Sequence, residues 1–148
     1  MCVVLSLGAA MCLAACTTPV ARGEARPAAA SRVLLDEYQN KTNGNSAIVL
    51  TRDNETIPSR CGMYIIIDQK SVVVLEPGEV FVAYVNAATH KLGAKMPSGC
   101  AGRADNLDIT THAGKALDVR ISYSVVTGVF ETVGETDLGN YVPGVEQR

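Results

Sequence analysis

From Leu117 to Val125 apolar and polar side chains alternate without a break. Leu117, Val119, Ile121, Tyr123 and Val125 share one face, and Asp118, Arg120, Ser122 and Ser124 share the other. A period of two is the mark of an extended strand with one face in a core, because successive side chains point to opposite sides of the backbone. A helix would scatter the same residues around its axis. One layer of the fold is therefore a sheet, and the rest of the chain has to supply its partners.

Such partners are plentiful. Ser46–Arg52 reads as a strand, with Ile48 and Leu50 alternating against Ala47, Val49 and Thr51. Met63–Asp68 is β-branched and apolar, Asp68–Ser71 makes a tight turn, and Val72–Leu75 returns. Pro77-Gly78 turns again, with residues suited to type II geometry. Glu79–Val85 is apolar on both faces, which predicts a central strand. Ala88–Lys95 and Leu107–His112 follow as strands, Ala113-Gly114 turns into Leu117–Val125, and Val129–Val133 closes the sheet. Asp53–Gly62 and Met96–Asn106 read as loops. Arg32–Tyr38 stays open between the start of a strand and a single helical turn. No stretch has helical periodicity and no repeat is evident. The expected fold is a small antiparallel all-β sandwich of about seven to eight strands over residues 32–135, with a C-terminal tail at 136–148.

Several motifs in this portion keep a characteristic order: Asp68-x-Lys70, Leu75-x-x-Gly78-Glu79-x-Phe81, Thr89-His90-x-Leu92 and Ala113-Gly114-Lys115. The order resembles PEGA-like domains and a related family of uncharacterised small bacterial lipoproteins, over residues 46–124. Gln69 stands where those domains usually have a turn glycine, and Ala87-Ala88 where Pro-Gly is common. The resemblance implies a small β-sandwich and brings no catalytic residue with it.

The N-terminus says where such a domain would work. Residues 1–16 carry no charged side chain and end in Leu13-Ala14-Ala15-Cys16. The run is shorter than the roughly 20 apolar residues of a membrane span. It fits the apolar region of an export signal, which ends at small residues. The last four residues resemble the lipobox of bacterial lipoproteins, which implies cleavage after residue 15 and lipidation of Cys16. Two or three acyl chains then hold a protein stably, at about 0.8 kcal/mol per buried CH₂. The competing reading is a buried N-terminal helix or strand. Such a signal usually opens with Lys or Arg, whereas the first charge here is Arg22, so the start is expected to lie upstream or to be displaced. Thr17 follows the cysteine where Asp would imply retention in the inner membrane, so the resemblance implies an outer-membrane lipoprotein facing the periplasm. Residues 16–31 are rich in Pro, Ala and Gly and read as the lipidated Cys and a flexible tether. Stretched, the tether reaches at most about 50 Å.

Of five cysteines, Cys2 and Cys12 leave with the signal and Cys16 takes the lipid. Cys61 and Cys100 remain, an even pair in an exported domain, and are expected to form a disulfide. Two buried free thiols are the alternative.

Chemistry is harder to find. The chain has 13 basic and 15 acidic side chains with no basic block, so it lacks the electrostatic footprint of a nucleic-acid binder. Tryptophan is absent and aromatics are few, which argues against a stacking platform for sugars or bases. His90 and His112 are the only histidines. A zinc site on both would need carboxylates such as Asp108 or Glu79 to converge, and nothing in the spacing indicates it. Ser98, His90 and Asp105 make a triad only on paper. No Gly-x-Ser-x-Gly or Ser-x-x-Lys motif occurs. Asn40 and Asn54 head accidental glycosylation patterns. No catalytic, cofactor-binding or metal site is assigned.

The expectation is a membrane-anchored cell-envelope lipoprotein, not an enzyme. Its sandwich would bind an envelope protein or cell-wall partner through a sheet edge or a loop, such as Met96–Asn106. The alternatives are an inhibitor or immunity-type lipoprotein, and a small envelope hydrolase using His90 or His112.

Overall fold

The computed structural model describes residues 20, 24–54, 61–100, 105–123 and 128–140. Cys16 and the predicted signal lie outside them, as does the tail beyond residue 140. Nine strands run in chain order: β1 Arg26–Pro27, β2 Ser46–Arg52, β3 Met63–Ile67, β4 Lys70–Leu75, β5 Glu79–Val85, β6 Thr89–Lys95, β7 Asp105–Thr110, β8 Lys115–Tyr123 and β9 Gly128–Asp137. They form two packed sheets, ordered β1-β5-β2-β8-β9 and β4-β3-β6-β7. The fold is thus the expected all-β sandwich, with nine strands among the described residues instead of seven or eight. No helix among the described residues is long and apolar enough to cross a membrane.

The alternation that predicted β8 is what builds the core. Leu117, Val119 and Ile121 point inward and meet Ile48 and Leu50 of β2, Phe81 and Ala83 of β5, and Ile65 and Leu92 of the facing sheet. β2 is buried on both faces. Its outward-pointing Ala47 and Val49 join Val80, Tyr84 and Ala116 in a second cluster that Val20 and Ala25 help to close. That double burial explains why β2 and β5 carry apolar residues almost throughout.

Two features depart from expectation. Most pairings are antiparallel, but β2 runs parallel to β8 and β1 parallel to β5. β1 also lies inside the predicted tether. Backbone N–H groups of Arg26 and Ala28 donate to the carbonyls of Gly78 and Val80. The main chain of Leu34 and Leu35 donates to Val72. The described part of that segment is therefore docked along the sandwich. Its composition misled because edge pairing uses backbone groups, which Pro-Ala-rich sequence still offers. Arg32–Tyr38, left open, becomes a bridge between Val33 and Val73 flanked by 3₁₀ turns at Ala30–Arg32 and Asp36–Gln39. β5, predicted central, has β2 on one side and only the two-residue β1 on the other. β9 runs on to Asp137, beyond the predicted Val133.

The Pro77-Gly78 turn has Gly78 at φ 77°, with the Glu79 N–H on the Glu76 carbonyl at 3.1 Å, as type II geometry requires. A disulfide joins Cys61 and Cys100, with Cα atoms 6.3 Å apart.

The strands give the sandwich two distinct ends. One holds Asp53, the Glu76–Glu79 turn, Cys61 and the Pro97–Cys100 turn. The other holds Gly44, the Asp68-Gln69 turn, Asn86–Ala88 and the Ala113-Gly114 turn.

Candidate binding cleft

A cleft of about 340 Å³ opens at this second end, lined by Glu37, Tyr38, Asn43, Asp68, Tyr84, Val85, Asn86 and His90. That volume lies at the low end of the range for small-ligand sites, about 300–1,000 Å³. Each wall has an identifiable origin.

The first wall is the β3–β4 turn. Asp68 and Gln69 both have positive φ, 48° and 69°. Positive φ at both central residues is the twist that joins antiparallel strands in a two-residue hairpin. Asp tolerates it through local hydrogen bonding, whereas Gln69 stands where glycine would be easier. The pairing of Ile67 with Leu92 sets the turn against Lys91. The Asp68 N–H donates to the Lys91 carbonyl at 3.0 Å, and the Lys91 N–H donates back to Asp68 Oδ1 at 2.9 Å.

His90 forms the second wall. It is 9% exposed. Its Nδ1 lies 2.7 Å from Asp68 Oδ2 and its Nε2 lies 2.8 Å from the Asn86 carbonyl. Both partners are acceptors, so a ring nitrogen that carries an N–H donates to the one it faces. The Asn86 carbonyl also lies 3.3 Å from the Thr111 hydroxyl, which accepts the Ala88 N–H. Three turns are thus laced together through His90 and Thr111. Burial alone would raise the Asp68 carboxyl. The His90 and Lys91 hydrogen bonds, with the positive charges of His90 and Lys70, outweigh it and hold the group below the usual carboxylate range.

The third wall comes from the 3₁₀ turns. Asn40 caps the one at Lys41–Asn43 by accepting the Thr42 N–H at 3.0 Å, and Asn43 Nδ2 donates to the Glu37 carbonyl. Gly44 lets this segment lie on the end of β5. A Cβ there would sit 2.2 Å from the Val85 carbonyl oxygen. Burial raises the Tyr38 phenol, opposed by Lys70 and reinforced by Asp68 and Glu37. Lys70 and Glu37 face each other at 3.6 Å on the rim. Behind the cleft, the Lys41 ammonium lies 6.0 Å from the centre of the Tyr84 ring.

The structure separates the residues the sequence offered for chemistry. His112 is exposed and pairs with Glu135 at 2.7 Å. Glu79 is buried at the opposite end, where it pairs with Arg32 and accepts the Glu76 N–H. Asp108 faces Lys91 on the surface at 3.8 Å. Ser98 and Asp105 stand at the Asp53 end, away from His90, and the Asp105 carboxylate accepts its neighbour's N–H. Among the described residues no three His, Cys, Asp or Glu groups converge as a metal site would require. A general base needs a free lone pair within reach of a substrate proton. Both His90 nitrogens are engaged. The cleft lining offers carboxylates, an imidazole, amides, carbonyls and phenols. Sequence reasoning weighed His90 and missed Asp68, Tyr38 and Tyr84. The only local signal was an Asp in a hairpin turn.

Comparison with protein-family models, characterised proteins and solved structures returns no match to this chain.

Proposed function

We propose that this chain is a cell-envelope lipoprotein attached through Cys16, whose sandwich is a non-enzymatic binding module that takes an envelope protein or cell-wall component in the His90–Asp68 cleft. The observation that carries the reading is the construction of that cleft. Its walls come from separate turns cross-linked by side chains, which is how a rigid scaffold presents a binding surface. The lipobox resemblance and the PEGA-like motif order support the envelope assignment. The Cys61–Cys100 disulfide supports an oxidising compartment. Thr17 supports the outer membrane.

Sheet edges serve this purpose less well. Chain from Arg26 to Leu35 lies along β5 and β4. β9 carries Glu131, Glu135 and Asp137 and a bulge at Val133, and β7 is short with Asp105 and Asp108. Charge, bulges and shortness are devices that discourage strand addition.

The test is photo-crosslinking in intact cells, with a photoreactive residue at Glu37 or Asn86 and, for comparison, at Thr132 on β9. A discrete adduct from the cleft positions supports the reading. An adduct from Thr132 alone overturns it in favour of edge binding. Acylation is read separately by the mass of the mature chain and its loss in Cys16→Ala.

A further inference from the structure

We infer that the sandwich is held with its Asp53 end at the lipid surface and its cleft end outward, because only about four residues of chain separate the anchor from the first docked residue. The inference rests on the proposed lipid anchor at Cys16 and adds the orientation that anchor imposes.

Val20 fixes the geometry. The residue is 6% exposed, and its N–H donates to Asp53 Oδ1 at 3.2 Å. Asp53 is itself immobilised. Arg120 and the Ser122 hydroxyl both donate to its carboxylate, the latter at 2.6 Å, and its own N–H donates to the Ile121 carbonyl. Ala25 is buried a few residues on, and Arg26–Pro27 then pair with β5. Val20 therefore meets the domain next to the C-terminal end of β2, and Ala25 to Pro27 lie along it again.

Only four peptide steps separate Cys16 from Val20. Fully stretched they reach about 14 Å. The cleft lies at the other end of β2 and β5. Seven residues of strand between Ser46 and Arg52 set the ends about 20 Å apart. The tether is thus shorter than the sandwich is long. With Val20 docked, the domain cannot turn its cleft end to the bilayer. The Glu76–Glu79 and Pro97–Cys100 turns face lipid headgroups instead, and the cleft faces a partner reaching in from the aqueous side. A tether running free to residue 31 would impose no such polarity.

The experiment uses the mature acylated protein in phospholipid vesicles that carry a quencher on the lipid headgroup. A fluorophore is placed at Ser98 or at Ala113, both exposed and at opposite ends. Quenching at Ser98 should exceed that at Ala113 severalfold. A flexible spacer of about twenty residues between Thr18 and Pro19 should erase the difference. Equal quenching without the spacer overturns the inference, as does a difference that survives it. An unacylated chain, recognised by its mass, would instead count against the anchor itself.

Discussion

Asp68 concentrates much of what is unusual about this molecule in one residue. It sits at positive φ, accepts from a backbone N–H and faces a buried imidazole, all on one hairpin turn. Because the folded state holds its carboxyl below the usual range, ionised Asp68 contributes stability above the unfolded carboxyl value, near pH 4. That contribution is lost as pH falls through the lower, folded value. Asp68→Asn keeps a residue that tolerates the left-handed region and removes the charge. Its stability should be lower than wild type at pH 7, and the two should converge on acidification below pH 4. Urea unfolding across that range decides it, and parallel curves would refute the assigned role. The side chain is about half exposed, so solvent screening keeps the effect modest. Gln69 allows an opposite prediction. At φ 69° a side chain costs about 1–2 kcal/mol, whereas glycine gives back about 0.5–1 through the unfolded chain. Gln69→Gly should therefore raise the unfolding free energy by about 0.5–1 kcal/mol, read as a higher urea midpoint with an unchanged slope. The sequence already marked Gln69 as out of place in its motif. The partner of Asp68 was not legible, because His90 lies 22 residues away and only strand register brings the two together.

Strands were far easier to read than the pairing between them. β2 and β5 match their predicted bounds to the residue, because local alternation and turn residues mark them without reference to the rest of the chain. The parallel contact of β2 with β8 leaves no such mark. A parallel partner and an antiparallel one ask the same side-chain pattern of a strand buried on both faces. β1 was invisible for a related reason, since its pairing with β5 is made by main-chain groups. The Cys61–Cys100 disulfide was legible by counting. It closes a span of 39 residues that includes β3, β4, β5 and β6. Chain-entropy reasoning for such a loop gives about 4 kcal/mol. Arg52 fastens the same region from inside, donating to the carbonyls of Cys61 and Leu75 at 2.7 Å each. The double variant Cys61→Ser, Cys100→Ser should keep the native strand content while losing up to about 4 kcal/mol, read by urea unfolding under non-reducing conditions. An unchanged midpoint would mean that the unfolded chain is already constrained there.

At the scale of the whole molecule, the sandwich is closed on one side by its own N-terminal segment. β5 and β4 are neighbours across the two sheets, and each would end a sheet with a row of unpaired backbone groups. Arg26–Ala28 occupy the start of the β5 edge, and Val33–Leu35 lie on β4. The bulge between Ile65 and Ile66 leaves Val72 as the extra residue of β4, and its carbonyl takes both the Leu34 and Leu35 N–H groups, at 2.9 and 3.3 Å. A segment that reads as a spacer thus supplies protection that β9 obtains from carboxylates and a bulge. Proline at both positions would remove the two donors, and at Leu35 its fixed φ near −65° is also incompatible with the native φ of −136°. The double variant Leu34→Pro, Leu35→Pro should therefore unbind this stretch and free the β4 edge, where Val72–Leu75 is apolar and β-branched enough to recruit a second chain. Light scattering should find concentration-dependent association in the variant under conditions that keep the parent monomeric. Dilution to low concentration should restore a monomer with native strand content, since the fully buried residues of the core are unchanged and only the partly buried Leu35 packs on them. A variant that stays monomeric with an unchanged unfolding midpoint would mean that β4 is shielded by side chains, and that the main-chain bonds from Leu34 and Leu35 contribute nothing to keeping the sandwich solitary.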